Sequence, residues 1–175
     1  MHFQSFYRID CYFSERFKEH LPCKINLMKI KKSKEIQIVG RREFVDFPEL
    51  GLYNIEAKID TGAFTTALHC HDICIEEVEG REVLSFYLLD PSHPEYNEQK
   101  IVFNEFYRKN IKNSFGDYEA RFIVKTIIKL GKRRIKSTIS LANRQNMRYP
   151  VLIGRKLIGK KFLVDVSGIH LLKKK

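Results

Sequence analysis

At 175 residues, 43% of them hydrophobic, the chain has room for one domain and an extension, and enough apolar material to bury a core. No apolar run reaches the length of a membrane-spanning helix, and residues 1–20 hold Asp10, Glu15 and Glu19 without a signal-peptide core, so a cytoplasmic protein is expected. The net charge of +11 suits a polyanionic partner without naming one, and four scattered cysteines (Cys11, Cys23, Cys70, Cys74) read as reduced thiols rather than a disulfide scaffold.

Residues 1–34 differ from the rest. They carry eight Lys/Arg against three Asp/Glu and contain no Gly, Ala or Val. Phe3, Phe6, Phe13 and Phe17 fit one face of a helix that Pro22 would stop, and a charged linker follows from Lys29 to Glu35. The stretch reads as an N-terminal extension or linker. A functional start at Met28 is an equal alternative, so that residues 1–27 lie outside the functional chain. Residues 35–175 form the expected domain.

From residue 35 the pattern is of short strands. Ile55, Ala57 and Ile59 alternate with Glu56 and Lys58, the period of a half-buried strand. Residues 73–78 and 81–89 flank Glu79-Gly80, a hairpin turn, and residues 121–130 and 135–141 flank a second turn that opens at Gly131. Only residues 155–161 read as helix. Residues 162–165 and 169–172 read as two final strands. Many short strands with regular turns predict an all-β barrel or sandwich.

Two motifs carry chemistry. The strand at Ala57–Ile59 runs straight into Asp60-Thr61-Gly62-Ala63. Asp60 supplies an acid/base group, Thr61 a hydroxyl able to lock the loop, and Gly62 lets backbone approach the carboxylate. Alone, Asp-Thr-Gly is also a common turn after a strand. The second motif is Val151-Leu152-Ile153-Gly154-Arg155, an apolar strand ending in glycine before the short helix.

Asp-Thr-Gly followed by apolar-apolar-Gly resembles the paired signature of the retropepsins, the retroviral type of aspartic peptidase. The likeness narrows with Gly40-Arg41-Arg42-Glu43, Pro48-Glu49-Leu50-Gly51, Thr65, Ala67-Leu68-His69, Arg144, Met147 and Phe162-Leu163-Val164-Asp165. Over residues 36–172 the chain resembles a bacterial and archaeal retropepsin-like family often labelled ATP-dependent zinc protease. That family is associated with ATP-grasp glutamate ligases that modify a ribosomal protein. The resemblance implies a retropepsin-like barrel and an aspartic endopeptidase, with Asp60, Thr61 and Gly62 catalytic. It also implies that Ala63, Thr65, Leu152, Ile153, Gly154 and Arg155 support the site or bind substrate. A retropepsin protomer brings one aspartate, and this chain has one Asp-Thr-Gly, so a homodimer is implied. The substrate expected is a peptide or protein, the glutamyl tail of a ribosomal protein included, with a glutamate ligase as a further partner.

The departures are specific. Asp60 and Leu152 are 92 positions apart, more than in retroviral enzymes, with the surplus expected in residues 84–121 and a candidate flap tip at Asn113-Ser114-Phe115-Gly116. Retroviral proteases pair the arginine after the glycine with an acid that here is Phe64, so Arg155 is expected to pair elsewhere, with Asp165, or else to bind substrate. Lys173–Lys175 would repel across a dimer built on residues 169–172, making it weak at low salt.

Competing readings are weaker. His69, Cys70, His71 and Cys74 have zinc-ligand side chains, but in a strand the two histidines share a face and Cys70 points away, so no metal is expected. Gly154 to Lys160 fits a phosphate-loop pattern, yet Lys161 stands where a hydroxyl belongs, so no nucleotide is expected either and no cofactor is assigned. The basic run Lys129, Lys132, Arg133, Arg134 and Lys136 reads as a solvated hairpin edge. The alternatives to a peptidase are a non-catalytic regulatory partner of a glutamate ligase, a zinc-dependent hydrolase and, last, a nucleic-acid-binding module.

Overall fold

Alternating burial builds the sheet. The computed structural model describes residues 35–112, 116 and 118–172, so the Phe3–Phe17 segment and Lys173–Lys175 fall outside it. Eleven strands are formed among the described residues: β1 (Gln37–Gly40), β2 (Arg42–Phe47), β3 (Leu52–Ile59), β4 (Thr66–Val78), β5 (Arg81–Leu88), β6 (Lys100–Phe103), β7 (Phe106–Lys112), β8 (Tyr118–Leu130), β9 (Arg133–Ala142), β10 (Val151–Ile153) and β11 (Phe162–Asp165). A 3₁₀ turn, Pro48–Leu50, joins β2 to β3. The single α-helix among the described residues, α1 (Arg155–Ile158), is one turn long. It stops short of the expected Lys161, where Gly159 leaves helical geometry and Lys160 turns left-handed.

Strand pairing closes on itself. β10 pairs with β3, β3 with β2, β2 with β8, β8 with β9, β9 with β4, and β4 returns to β10. A closed ring leaves none of these six strands as a bare edge along its paired length. β5 and β6 extend the sheet from the far half of β4, and β7 pairs with β8. Val45, Phe47, Leu68, Phe86, Ile128 and Ile153 fill the interior, each almost fully shielded. Burial of such side chains stabilises by about 1.5–3 kcal/mol each.

Local irregularities keep the apolar faces in phase. Leu52 and Ile55 are both buried although three residues apart. Asn54, at φ 55°, absorbs the extra residue, and its N–H donates to Asp46 Oδ1 at 2.9 Å. The β4–β5 turn has Glu79 at φ 53° and Gly80 at φ 72°, the two left-handed residues that a tight two-residue hairpin needs.

Residues 169–172 do not form the strand expected from their sequence; β1 and β11 instead pair in parallel as a separate two-stranded sheet. A buried carboxylate explains the difference. Glu43, 1% exposed, accepts N–H bonds from Gly40 (2.7 Å), Leu171 (2.9 Å) and Leu172 (3.2 Å), and the His170 N–H goes to Arg42 O. With their donors taken in this way, these residues have no ladder to join.

Candidate active site

The site begins where β3 ends. β10 is threaded between β3 and β4, parallel to the first and antiparallel to the second, so Leu152 faces Lys58 on one side and Ala67 on the other. The turn after β3 is thereby held by the turn after β10. Asp60 N–H donates to Ile153 O (2.9 Å), Arg155 N–H to Ala63 O (2.9 Å) and Lys156 N–H to Phe64 O (3.0 Å). Gly154 N–H donates to Thr66 Oγ1 at 3.3 Å. The two sequence motifs thus form one structural unit.

Within that unit Asp60 is half-buried, and its Oδ1 accepts N–H bonds from Gly62 (2.9 Å) and Ala63 (3.3 Å). Those bonds fix the carboxylate plane, and among the described residues no donor reaches Oδ2. Gly62 lets the loop fold that closely: a Cβ there would lie 3.2 Å from Asp60 Oδ1. Thr61 departs from expectation. It is exposed, and the hydroxyl that locks the loop within this chain belongs to Thr66.

The Asp60 loop opens into a groove of about 1090 Å³. Ala63, Thr65, Leu152 and Arg155 line it, while Ile153 and Gly154 are buried. Its roof is the β7–β8 hairpin, through Lys109, Lys112, Glu119 and Arg121, and one wall is the 143–149 segment. The expected flap tip falls in that hairpin, but Asn113, Ser114 and Phe115 lie outside the described residues; Gly116 is exposed. Among the described residues seven cations line the groove (Lys58, Lys109, Lys112, Arg121, Arg144, Arg148, Arg155) against the carboxylates of Asp60 and Glu119, and Glu119 is already paired with Arg121 at 2.6 Å. Arg155 belongs to the second sequence motif, whereas the other six come from four separate segments that only the folded chain brings together.

Arg155 does not pair with Asp165. That carboxylate accepts from the N–H (2.9 Å) and hydroxyl (2.6 Å) of Ser167, and among the described residues no acid pairs with Arg155, whose side chain faces the groove. The zinc alternative does not fit either. His69 is buried; its Nδ1 accepts the Arg144 N–H at 2.7 Å, and its Nε2 lies 2.6 Å from Asp90 Oδ2. Cys70 is sealed in the core, and burial pushes its thiol pKa up to about 12. A bulge at Asp72 (φ 50°) shifts the register between His71 and Cys74. Among the described residues no three His, Cys, Asp or Glu side chains converge as metal ligands. The two thiols should separate chemically: iodoacetamide at neutral pH is expected to alkylate exposed Cys74 and spare Cys70, read by peptide mass mapping. Equal labelling of both in the folded protein would contradict the buried position of Cys70.

Comparison with known proteins decides the family. The model for the family described as "RimB-like: Retropepsin-like aspartic endopeptidase RimB" matches residues 38–175. The chain belongs to the RimB-like retropepsin-like family. It is also similar to a protein of Shewanella halifaxensis named "Probable alpha-L-glutamate ligase", 37% identical over 134 residues, covering 74% of this chain and 28% of that protein. A Desulfotalea psychrophila protein of the same name is 32% identical over 133 residues, again 74% of this chain and 28% of the other. The RimB-like chain thus spans under a third of the length of these curated relatives. Among solved structures it resembles a Legionella pneumophila protein of unknown function (DUF785), with a TM-score of 0.61 and 27% identity, over 79% of this chain and all of that one. None of the described helices is long and apolar enough to cross a membrane.

Proposed function

We propose that this protein is an aspartic endopeptidase that hydrolyses acidic peptide chains, glutamyl tails among them, with a catalytic pair made of Asp60 from each of two protomers. The single observation that carries this reading is an Asp60 loop clamped by the Ile153–Lys156 turn and opening into a groove with seven cations. A peptide of glutamates would find in that groove the charges its own side chains need.

One Asp60 is half of an acid/base pair. Two carboxylates a few ångströms apart share one proton, because ionising both in one site is unfavourable. The ionised member takes a proton from water as its oxygen attacks the scissile carbonyl carbon. The protonated member gives its proton to the carbonyl oxygen. Collapse of the resulting diol, with a proton passed to the amide nitrogen, breaks the C–N bond. The exposed Thr61 hydroxyl is then available to the second protomer.

The reading is tested by incubating the protein with a polyglutamylated protein and measuring intact mass. Loss of glutamate-sized increments supports it, and an unchanged mass at every protein concentration speaks against it. Because the site is shared, specific activity should rise as protein is concentrated through the dimer dissociation constant, followed by sedimentation over the same dilution series. Full activity from a strictly monomeric protein would remove the paired-aspartate mechanism. A second reading, a regulatory partner of a glutamate ligase, is favoured by the relatives that carry a similar segment within longer chains named as ligases.

A further inference from the structure

The groove's cations are not equivalent. Lys109 lies on the hairpin roof, with its ammonium 6.0 Å from the centre of the Phe64 ring, and Arg121 is committed to Glu119 through both Nε (2.9 Å) and Nη2 (2.6 Å). Arg148 is exposed, with its guanidinium over the Tyr149 ring. Arg144 differs from these in three ways.

First, its backbone is clasped by a single buried residue. The ring of His69 accepts the Arg144 N–H, while the His69 N–H donates to Pro150 O at 2.8 Å, so both ends of the 144–150 segment are tied to one point on β4. His69 is 3% exposed and is held in turn by the β4–β9 pairing, where it sits opposite Ala142. Second, the guanidinium is oriented but not neutralised. Its Nε donates to Tyr149 O at 3.2 Å, and among the described residues no carboxylate pairs with it. Third, it is half-buried and within electrostatic reach of the catalytic aspartate. Burial lowers its pKa, neighbouring Arg121 adds to that effect, and Asp60 opposes it. A partly desolvated cation beside a second arginine is a site that an incoming anion would relieve.

Resting on the peptidase reading above, we propose that Arg144 is the specificity-determining residue of the groove, pairing with the side-chain carboxylate of a substrate residue that flanks the scissile bond. Its terminal nitrogens present a fork suited to a carboxylate. A substrate carboxylate close to the Asp60 pair needs a cation between them to offset the repulsion, and Arg144 stands in that neighbourhood. Rigid anchoring at His69 and Tyr149 means little is lost in ordering the side chain on binding.

The test separates binding from cutting. The full chain carrying Asp60→Asn is titrated, by fluorescence anisotropy, with labelled glutamine hexapeptides that hold one Glu at each position in turn. The expected result is a preference for Glu over Gln of about tenfold at one position, lost when Arg144→Gln is added and with the other positions unaffected. Lys109→Gln serves as the contrast, weakening a hexaglutamate probe without regard to position. A preference that survives Arg144→Gln overturns the assignment, as does a loss spread evenly over all positions or no positional preference at the outset. Circular dichroism checks folding. Should Arg144→Gln not fold, Arg144→Lys replaces it, with a weakened preference expected and an unchanged one overturning. The same peptides are offered to the protein with Asp60 intact. No cleavage together with a position-specific loss would end the peptidase reading and leave Arg144 as a carboxylate reader; cleavage with a preference indifferent to Arg144 would do the reverse.

Discussion

Asp60→Asn is expected to remove peptidase activity by at least about 10³-fold while leaving the fold within about 1 kcal/mol of the parent. The two effects separate because the two oxygens of Asp60 do different things. Oδ1 accepts the Gly62 and Ala63 N–H bonds, and the amide oxygen of Asn can accept both, if more weakly, so the loop keeps its shape. What Asn lacks is a carboxyl group able to take up and release a proton. A homodimer of the variant would carry two amides, so neither the base that activates water nor the acid that protonates the carbonyl would remain. The measurement is initial rate on a glutamate-rich peptide, paired with a thermal melt. A variant that cuts at the parent rate would show that the chemistry lies elsewhere in the groove. A variant that loses activity only because it unfolds would assign Asp60 a structural role instead.

How far the sequence foretold this arrangement depended on the range of each interaction. The β3 strand was legible because Ile55, Ala57 and Ile59 repeat at the sheet period, and the β4–β5 turn because Glu79-Gly80 has the left-handed tolerance that hairpins demand. The Asp60 loop and the Gly154 turn were legible as motifs, each local in the chain. Residues 169–172 misled because three apolar residues around His170 read as a strand whether or not a partner exists, and nothing local says that Glu43, more than 120 residues earlier, takes the Leu171 and Leu172 N–H groups. Thr61 misled in a related way: its hydroxyl is adjacent to Asp60 in sequence, but Thr66 is the residue that the β4 backbone delivers to Gly154. The basic groove was hidden for the same reason. Lys58, Lys109, Arg121 and Arg144 are ordinary surface-type residues in their own strands and loops, and only the folded chain sets them round one cavity. Arg144 and Met147 belong to the family pattern, but what holds their segment is His69, 75 positions before Arg144 in the chain.

Gly154→Ala is expected to cost about 3 kcal/mol and most of the activity, and Gly154→Val more. The backbone angles are not the reason: φ −85° and ψ 166° suit any residue. The reason is contact. A Cβ at position 154 would lie 2.7 Å from Phe64 O, Thr65 C and Thr65 O, well inside van der Waals distance of main-chain atoms that have no rotamer with which to retreat. Relief would require moving the Ile153–Lys156 turn away from the Asp60 loop. The bonds that such a shift stretches are those that hold the loop: Asp60 N to Ile153 O, Arg155 N to Ala63 O, and Gly154 N to Thr66 Oγ1. Stability and activity should therefore fall together, unlike the Asp60→Asn case, where activity falls alone. A chemical-denaturation curve and a peptide-cleavage rate on the same preparation distinguish the two patterns. If Gly154→Ala keeps the parent melting temperature and rate, the close approach of the two turns is not what positions Asp60, and the clamp described here would have to be replaced by another source of order in that loop.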